Sequence, residues 1–169
     1  MPLSPEILIN ILPALLAASG SALFSGLTIG LSSVDPFELR DIVASKSEDW
    51  EKAKKVLKVA KNYNWLLTTL LLGNVAMNVV IPIYLSKVAS GPVAGVMSVV
   101  LIFIFAELLP AAICKKEALS IGAKTSWLVR TMMILSAPVT WPIGKILDKT
   151  VGVEGRSITP RGVLMEKID

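Results

Sequence analysis

One carboxylate, Glu107, sits inside VAGVMSVVLIFIFAELLPAAICKK, a stretch otherwise suited to hydrocarbon. An ionised carboxylate at mid-bilayer costs at least about 2.5–3.5 kcal/mol, so Glu107 needs a cation, a proton or a water-filled cavity. Three residues on, Pro110 has no N–H and leaves the carbonyl of Ala106 without its helical donor. A second stretch, LLLGNVAMNVVIP, places Asn74 and Asn78 one turn apart, with Gly73 allowing close approach and Pro82 removing the donor for the Asn78 carbonyl. In a third, Ser21, Ser25, Thr28 and Ser32 recur at spacings of four, three and four, which puts their hydroxyls on one helix face with Gly20, Gly26 and Gly30 between them.

Each group has a structural reading. Hydroxyls and glycines serve close helix packing, asparagine pairs glue helices, Pro110 makes an ordinary kink, and a protonated Glu107 hydrogen-bonds within a helix interface. Taken together, one carboxylate, two amide oxygens, several hydroxyls and freed carbonyls form the inventory that hard cations such as magnesium or calcium select. The chain has no histidine and one cysteine, Cys114, so a zinc or copper centre and an internal disulfide are not expected. No HExxH, GxSxG, Walker or Rossmann pattern occurs, and a serine nucleophile would lack a histidine base, so no enzyme is expected.

The elements that must position these residues are membrane helices. Of the 169 residues, 53% are hydrophobic and mean hydropathy is +0.67, too apolar for an ordinary soluble domain. Ile7 to Val34 and Trp65 to Leu85 carry no charge, and Val93 to Cys114 carries only Glu107. Each is long enough for the roughly 30 Å hydrocarbon core, which needs about 20 helical residues. The fold class expected is therefore an all-α integral membrane protein, with spans over about 7–34, 64–88 and 92–114 in a domain covering 1–153. The first span lacks a basic n-region and contains Pro13, which argues against a cleaved signal.

Charge distribution sets the expected topology. Seven basic residues lie between Pro36 and Asn62 and nine follow Cys114, whereas the segment between the second and third spans has only Lys87. By the positive-inside rule the N-terminus is outside and the C-terminus cytoplasmic, in a multi-pass protein of the cell membrane. The net charge of +4 reflects this asymmetry, and nucleic acid is not an expected partner; membrane lipid is. Asp35 and Pro36 open an amphipathic stretch over 36–62 that SKSED breaks into a helical hairpin, and Asn62 to Asn64 cap the next span. Over 118–150, Pro138 and Pro142 are expected to divide an interfacial stretch into two short belt helices, with Trp127 and Trp141 at headgroup depth. A fourth crossing would put Lys145 to Asp169 outside, against the charge rule. Residues 154–169, with SITPRG, read as a linker.

SALFSGLTIGLSSVDPFELR, NYNWLLTTLLLGNVAMNV and FAELLPAAICKK, in this order, resemble the transmembrane module shared by the CNNM proteins of animals and the prokaryotic CorB and CorC proteins, over roughly residues 10–169. The resemblance implies three transmembrane helices, a juxtamembrane belt, a homodimer and magnesium transport or efflux, with sodium as a possible counter-ion. It further implies that Ser21, Ser25, Asn74 and Glu107 line a magnesium site open to the cytoplasm, with Gly73, the carbonyl of Ala106 and Asn78 as additional candidates. The family usually has glycine before the glutamate; Ala106 keeps the backbone oxygen but not glycine's freedom to distort. Nucleotide binding, in the family, belongs to CBS domains that would follow the linker. From the residues alone, a membrane scaffold or ion sensor, and a proton- or sodium-coupled carrier of another substrate, remain open beside magnesium transport.

Overall fold

The computed structural model describes residues 5–150, so the linker expected over 154–169 lies outside the described residues. Among the described residues, seven α-helices run in order: α1 Pro5–Ser32, α2 Pro36–Ala44, α3 Trp50–Ala60, α4 Tyr63–Leu85, α5 Gly91–Leu101, α6 Leu109–Lys116 and α7 Ala118–Thr150, with a π-helical segment, Ile102–Leu108, joining α5 to α6. Three helical stretches among the described residues are long and apolar enough to cross a membrane: Ile7–Ser32, Tyr63–Leu85 and Gly91–Lys116. The molecule is thus an all-α membrane protein, and no strand occurs among the described residues.

Small residues set how closely the spans approach. A Cβ on Gly73 would lie 2.7 Å from the Phe24 ring, and one on Gly20 would lie 3.1 Å from the Met77 sulfur, so these glycines let α1 and α4 meet. On the other side of α1, Gly26 and Gly30 admit Cys114 of α6, where added Cβ atoms would come within 2.5 Å of its sulfur and 3.1 Å of its carbonyl oxygen. Lipid tails are as apolar as leucine, so contact of this kind, rather than expulsion of water, holds spans together.

Two apolar clusters result. At the end where α1 finishes and α4 begins, Phe24, Leu27, Leu31, Leu66 and Leu70 pack with Leu39 of α2, Val56 of α3 and Met133 of α7. Toward the opposite end, Ala14, Ala17 and Ala18 of α1 meet Ile81 and Leu85 of α4 and Ala94 of α5. The outer faces expose Leu71, Val75 and Val79 of α4 and Phe103 and Phe105 of the π-segment, an apolar surface that calls for lipid or another chain as cover.

The short helices form a belt around the first of these ends. Asp35 caps α2 by accepting a 2.8 Å hydrogen bond from the Phe37 N–H, and Pro36 occupies the first turn, where a missing donor costs nothing. Lys46 takes a left-handed φ of 50° in the turn between α2 and α3. Asp49 then accepts from Lys52 Nζ at 2.7 Å; that hydrogen bond, followed by the carboxylate's charge, raises the Lys52 pKa above the ordinary lysine value. Asn62 sits at the N-cap position of α4 without a side-chain capping bond, so it does not cap the span as its position suggests. Asn64 is buried instead and donates to Asp148 Oδ1 of α7 at 2.7 Å.

The division of 118–150 into two short helices at its prolines is not observed; α7 runs unbroken through Pro138 and Pro142. The physical reason is tertiary. Thr140, fully buried one turn from Ser136, accepts from Trp65 Nε1 at 3.1 Å and from Thr69 Oγ1 at 3.2 Å, while its own hydroxyl bonds to the Ser136 carbonyl at 3.0 Å. Thr140, between the two prolines, thus anchors α7 to α4, which holds the helix continuous although Pro138 and Pro142 leave the carbonyls of Ile134 and Pro138 without their helical donors. Gly144 completes the seat, because a Cβ there would lie 2.8 Å from the Trp65 Cα.

That contact is with backbone, which cannot swing aside. Gly144→Ala is expected to destabilise the protein by about 1–3 kcal/mol through overpacking. Gly95→Ala, with nothing within 4 Å of its added Cβ, should leave stability unchanged or slightly raised. Thermal unfolding of the two variants in detergent checks this.

Candidate functional site: a polar layer between the clusters

Between the two apolar clusters, where Gly20 and Gly73 let α1 and α4 approach, the buried residues turn polar. Ser21 is fully buried, and its Oγ lies 2.6 Å from Asn74 Oδ1 and 2.5 Å from Asn78 Oδ1. Asn78 turns its other end outward, donating from Nδ2 to Glu107 Oε1 at 3.3 Å. All three spans thus meet through polar side chains: a hydroxyl from α1, two amides from α4, and a carboxylate from the π-segment. Asn74, Asn78 and Glu107 are half-buried, so the layer is not sealed.

Hydrogen bonding sorts the serines and threonines that spacing alone groups together. Thr28 bonds to the Phe24 carbonyl at 2.8 Å and Ser32 to the Thr28 carbonyl at 2.5 Å, so both turn back onto their own helix. Such back-bonding is a local choice available to any helical hydroxyl. Ser21 instead reaches across to α4. Ser25, half-buried and one turn further along, makes no hydrogen bond with the described residues, which leaves its hydroxyl available on the same side as Ser21. Gly73 contributes by admitting the Phe24 ring, which brings the next residue, Asn74, up to α1.

The π-segment is the feature that the sequence reading misses. Leu109 donates its N–H to the Ile104 carbonyl, five residues back. In this register the missing N–H of Pro110 faces the carbonyl of Phe105, whereas the α-register expected from the sequence would face it to Ala106. No glycine announces the distortion. The segment forms with Ala106 in place, fully buried, while packing against α1, so glycine at this position is not required for it. Each residue inserted into an α-helix turns the remainder of that helix by about 100°. The wide turns thereby set the direction in which Glu107 leaves the helix, toward Asn78.

A shallow groove of about 550 Å³ on α4 is lined by Val75, Asn78, Val79, Pro82, Ile83 and Ser86. It leads from the amide layer toward the end of α4 away from the belt. The described residues contain no cluster of three or more His, Cys, Asp or Glu side chains, so a cation in this layer would meet one carboxylate and otherwise neutral oxygens. That donor set fits a hard ion and is poorly suited to zinc or copper.

Fold and site together define a multi-span helical membrane domain built around an oxygen-rich layer. Residues 11–163 match the family described as Cyclin M transmembrane N-terminal domain, and the chain belongs to this CNNM family. It is 42% identical over 149 residues to the metal transporter cnnm-1 of Caenorhabditis elegans, an alignment covering 88% of this chain and 18% of that protein. Over 135 residues it is likewise 42% identical to cnnm-2 of the same organism, covering 79% of this chain and 18% of the relative. A DUF21 domain-containing protein of Arabidopsis thaliana is 35% identical over 167 residues, 98% of this chain and 39% of its own length. The chain therefore spans well under half the length of these relatives.

Removing the Ser21 hydroxyl takes away the group that both the Asn74 and the Asn78 amides bond. Ser21→Ala should lower stability in metal-free detergent solution by about 1–3 kcal/mol. Thr28→Ala, which removes a bond only to its own helix, should change it by no more than about 0.5 kcal/mol. Denaturation curves of both against the parent decide the matter.

Proposed function

We propose that this chain is the ion-binding membrane domain of a divalent-metal transporter, with magnesium as cargo. The observation that carries the reading is the convergence of Ser21 Oγ, Asn74 Oδ1 and Asn78 Oδ1, within 2.6 Å of Ser21, around a single hydroxyl proton. One proton cannot be donated fully in two directions, whereas a cation is attracted to all three oxygens at once. Glu107 supplies the negative charge behind Asn78, and Ser25 offers a further oxygen. The names of the nematode relatives, metal transporters, favour the same reading.

Magnesium sheds water reluctantly and usually keeps several waters when protein-bound. A layer with one carboxylate and neutral dipoles suits a partly hydrated ion that must also leave. In this scheme the amides and Ser21 replace part of the hydration shell, and Glu107 offsets the ion's charge in a low-dielectric setting. Release follows when α1 and α4 separate enough to part Ser21 from the asparagines. We assign efflux, with sodium as possible counter-ion, an N-terminus outside, the belt at the cytoplasmic face, and a homodimer whose contact covers part of the exposed apolar surface.

A second reading, a scaffold or magnesium sensor without transport, is favoured by one feature. Rotating the Asn74 amide lets its N–H donate to Ser21, which then donates to Asn78, giving a chain of hydrogen bonds that ends on Glu107 and needs no ion. The equivalent rotation of Asn78 would set its oxygen against the carboxylate, so only Asn74 has this freedom.

Calorimetric titration of magnesium and flux into liposomes separate these readings. Under the transport proposal, Glu107→Ala and Asn74→Ala each weaken binding at least about tenfold, the effect of losing roughly 1.4 kcal/mol. Both also abolish flux, while Thr28→Ala keeps both. Parent-like binding and flux in Glu107→Ala and Asn74→Ala would refute the site. Binding without flux in the parent, kept in Glu107→Gln, would favour the sensor.

A further inference from the structure

The outward face of α7 combines cations with large exposed apolar side chains. Its buried side, through Gly122, Val129, Met133, Thr140 and Gly144, packs on α3, on the first turns of α4 and on Leu31 at the end of α1. On the opposite side, Trp127, Leu135 and Trp141 are exposed, and exposed Lys124, Arg130, Lys145 and Lys149 stand among them. Helical geometry sets all seven within an arc of about 140°. Lys145 Nζ lies 3.9 Å from the centroid of the Trp141 ring, so cation and aromatic share one position.

The only acid of α7, Asp148, is taken by Asn64, and the one ion pair among the described residues is Lys52 with Asp49. The four α7 cations therefore pair with no carboxylate of the described chain. Their level in the molecule is set by their neighbours, because α7 crosses where α1 ends and α4 begins, the depth at which two apolar spans leave the hydrocarbon. The face of α3, where Lys54, Lys55 and Lys58, with Lys61 just past its end, stand beside Glu51 and the half-buried Trp50, carries no large exposed apolar side chain and would suit an acidic partner in water. Large exposed aromatics and aliphatics beside cations at that depth suit an acyl boundary with anionic groups above it.

We infer that the outward face of α7 is a seat for anionic phospholipid headgroups, with Lys124, Arg130, Lys145 and Lys149 meeting the phosphates and Trp127, Leu135 and Trp141 set against the acyl chains. This selectivity is independent of the ion site, and loss of one leaves the other to be judged separately. Each cation near a charged headgroup changes affinity by up to about fivefold at low salt.

The test is native mass spectrometry of the 169-residue chain released from detergent containing equimolar phosphatidylglycerol and phosphatidylcholine. The expected result is predominant retention of phosphatidylglycerol, with the preference shrinking as salt rises. It should disappear in a variant carrying Lys124→Gln, Arg130→Gln, Lys145→Gln and Lys149→Gln, and fall by up to about fivefold in Arg130→Gln or Lys145→Gln alone. A control with Lys54→Gln, Lys55→Gln, Lys58→Gln and Lys61→Gln changes the charge equally on α3 and at its end, and should keep the preference. The inference is overturned if the parent shows no preference, if the single α7 changes leave it intact, or if the α3 control loses as much. The last outcome would mean that net charge, or a polar docking face on α3, governs retention.

Discussion

Everything in this molecule depends on how closely α1 and α4 approach. In hydrocarbon there is no gain from hiding leucine, so two spans stay together only through dense contact or polar bonds. Here the two are coupled. Gly73 gives way to the Phe24 ring and Gly20 to Met77, and at the separation this permits, Ser21 reaches Asn74 and Asn78. The glycines and the polar layer are one design: without the first, the second would be a set of buried dipoles lacking partners, each costing on the order of a kcal/mol or more.

The layer's place between two apolar clusters has a further meaning. Above and below it the contacts are leucine, alanine and isoleucine, which are indifferent to small rotations. Only at the layer does one geometry exceed its neighbours in strength, since hydrogen bonds are directional and weaken steeply with angle. The polar groups therefore specify register, and the apolar clusters supply area. Belt and bundle are joined on the same plan, with Thr140 of α7 receiving Trp65 and Thr69, and Asp148 receiving Asn64.

Much of this was legible in the sequence, for a physical reason. Glu107, Asn74 and Asn78 stand out because ionisable and amide groups are costly in an apolar window, so their presence implies partners. Ser21 and Thr28 could not be told apart, because spacing gives the face of a hydroxyl but not whether it turns to a neighbour or back to its own carbonyl four residues earlier. The continuity of α7 was likewise hidden. Proline's effect on a helix is local, whereas the hydroxyl network that holds α7 to α4 joins residues 71 and 75 positions apart. Asn62 illustrates the same limit, as an apt capping residue whose side chain the fold leaves without a capping bond.

The π-segment leaves a trace in the spacing of the third span. Its buried residues, Ala94, Ser98, Ala106 and Cys114, are separated by multiples of four, and half-buried Ile102 and Pro110 fill the gaps. A stripe at every fourth residue drifts about 40° per step on an α-helix, which over the interval from Ala94 to Cys114 sums to about 200°. On a regular helix the two ends of this stripe would face nearly opposite ways. The wider turns between Ile102 and Leu108 offset part of this drift, about 100° for one inserted residue, and Ala94 packs with α1 and α4 at one end while Cys114 meets Gly26 and Gly30 at the other. The third span is thus two α-helical lengths joined by one underwound stretch, and the change in facing that its buried residues need is concentrated there.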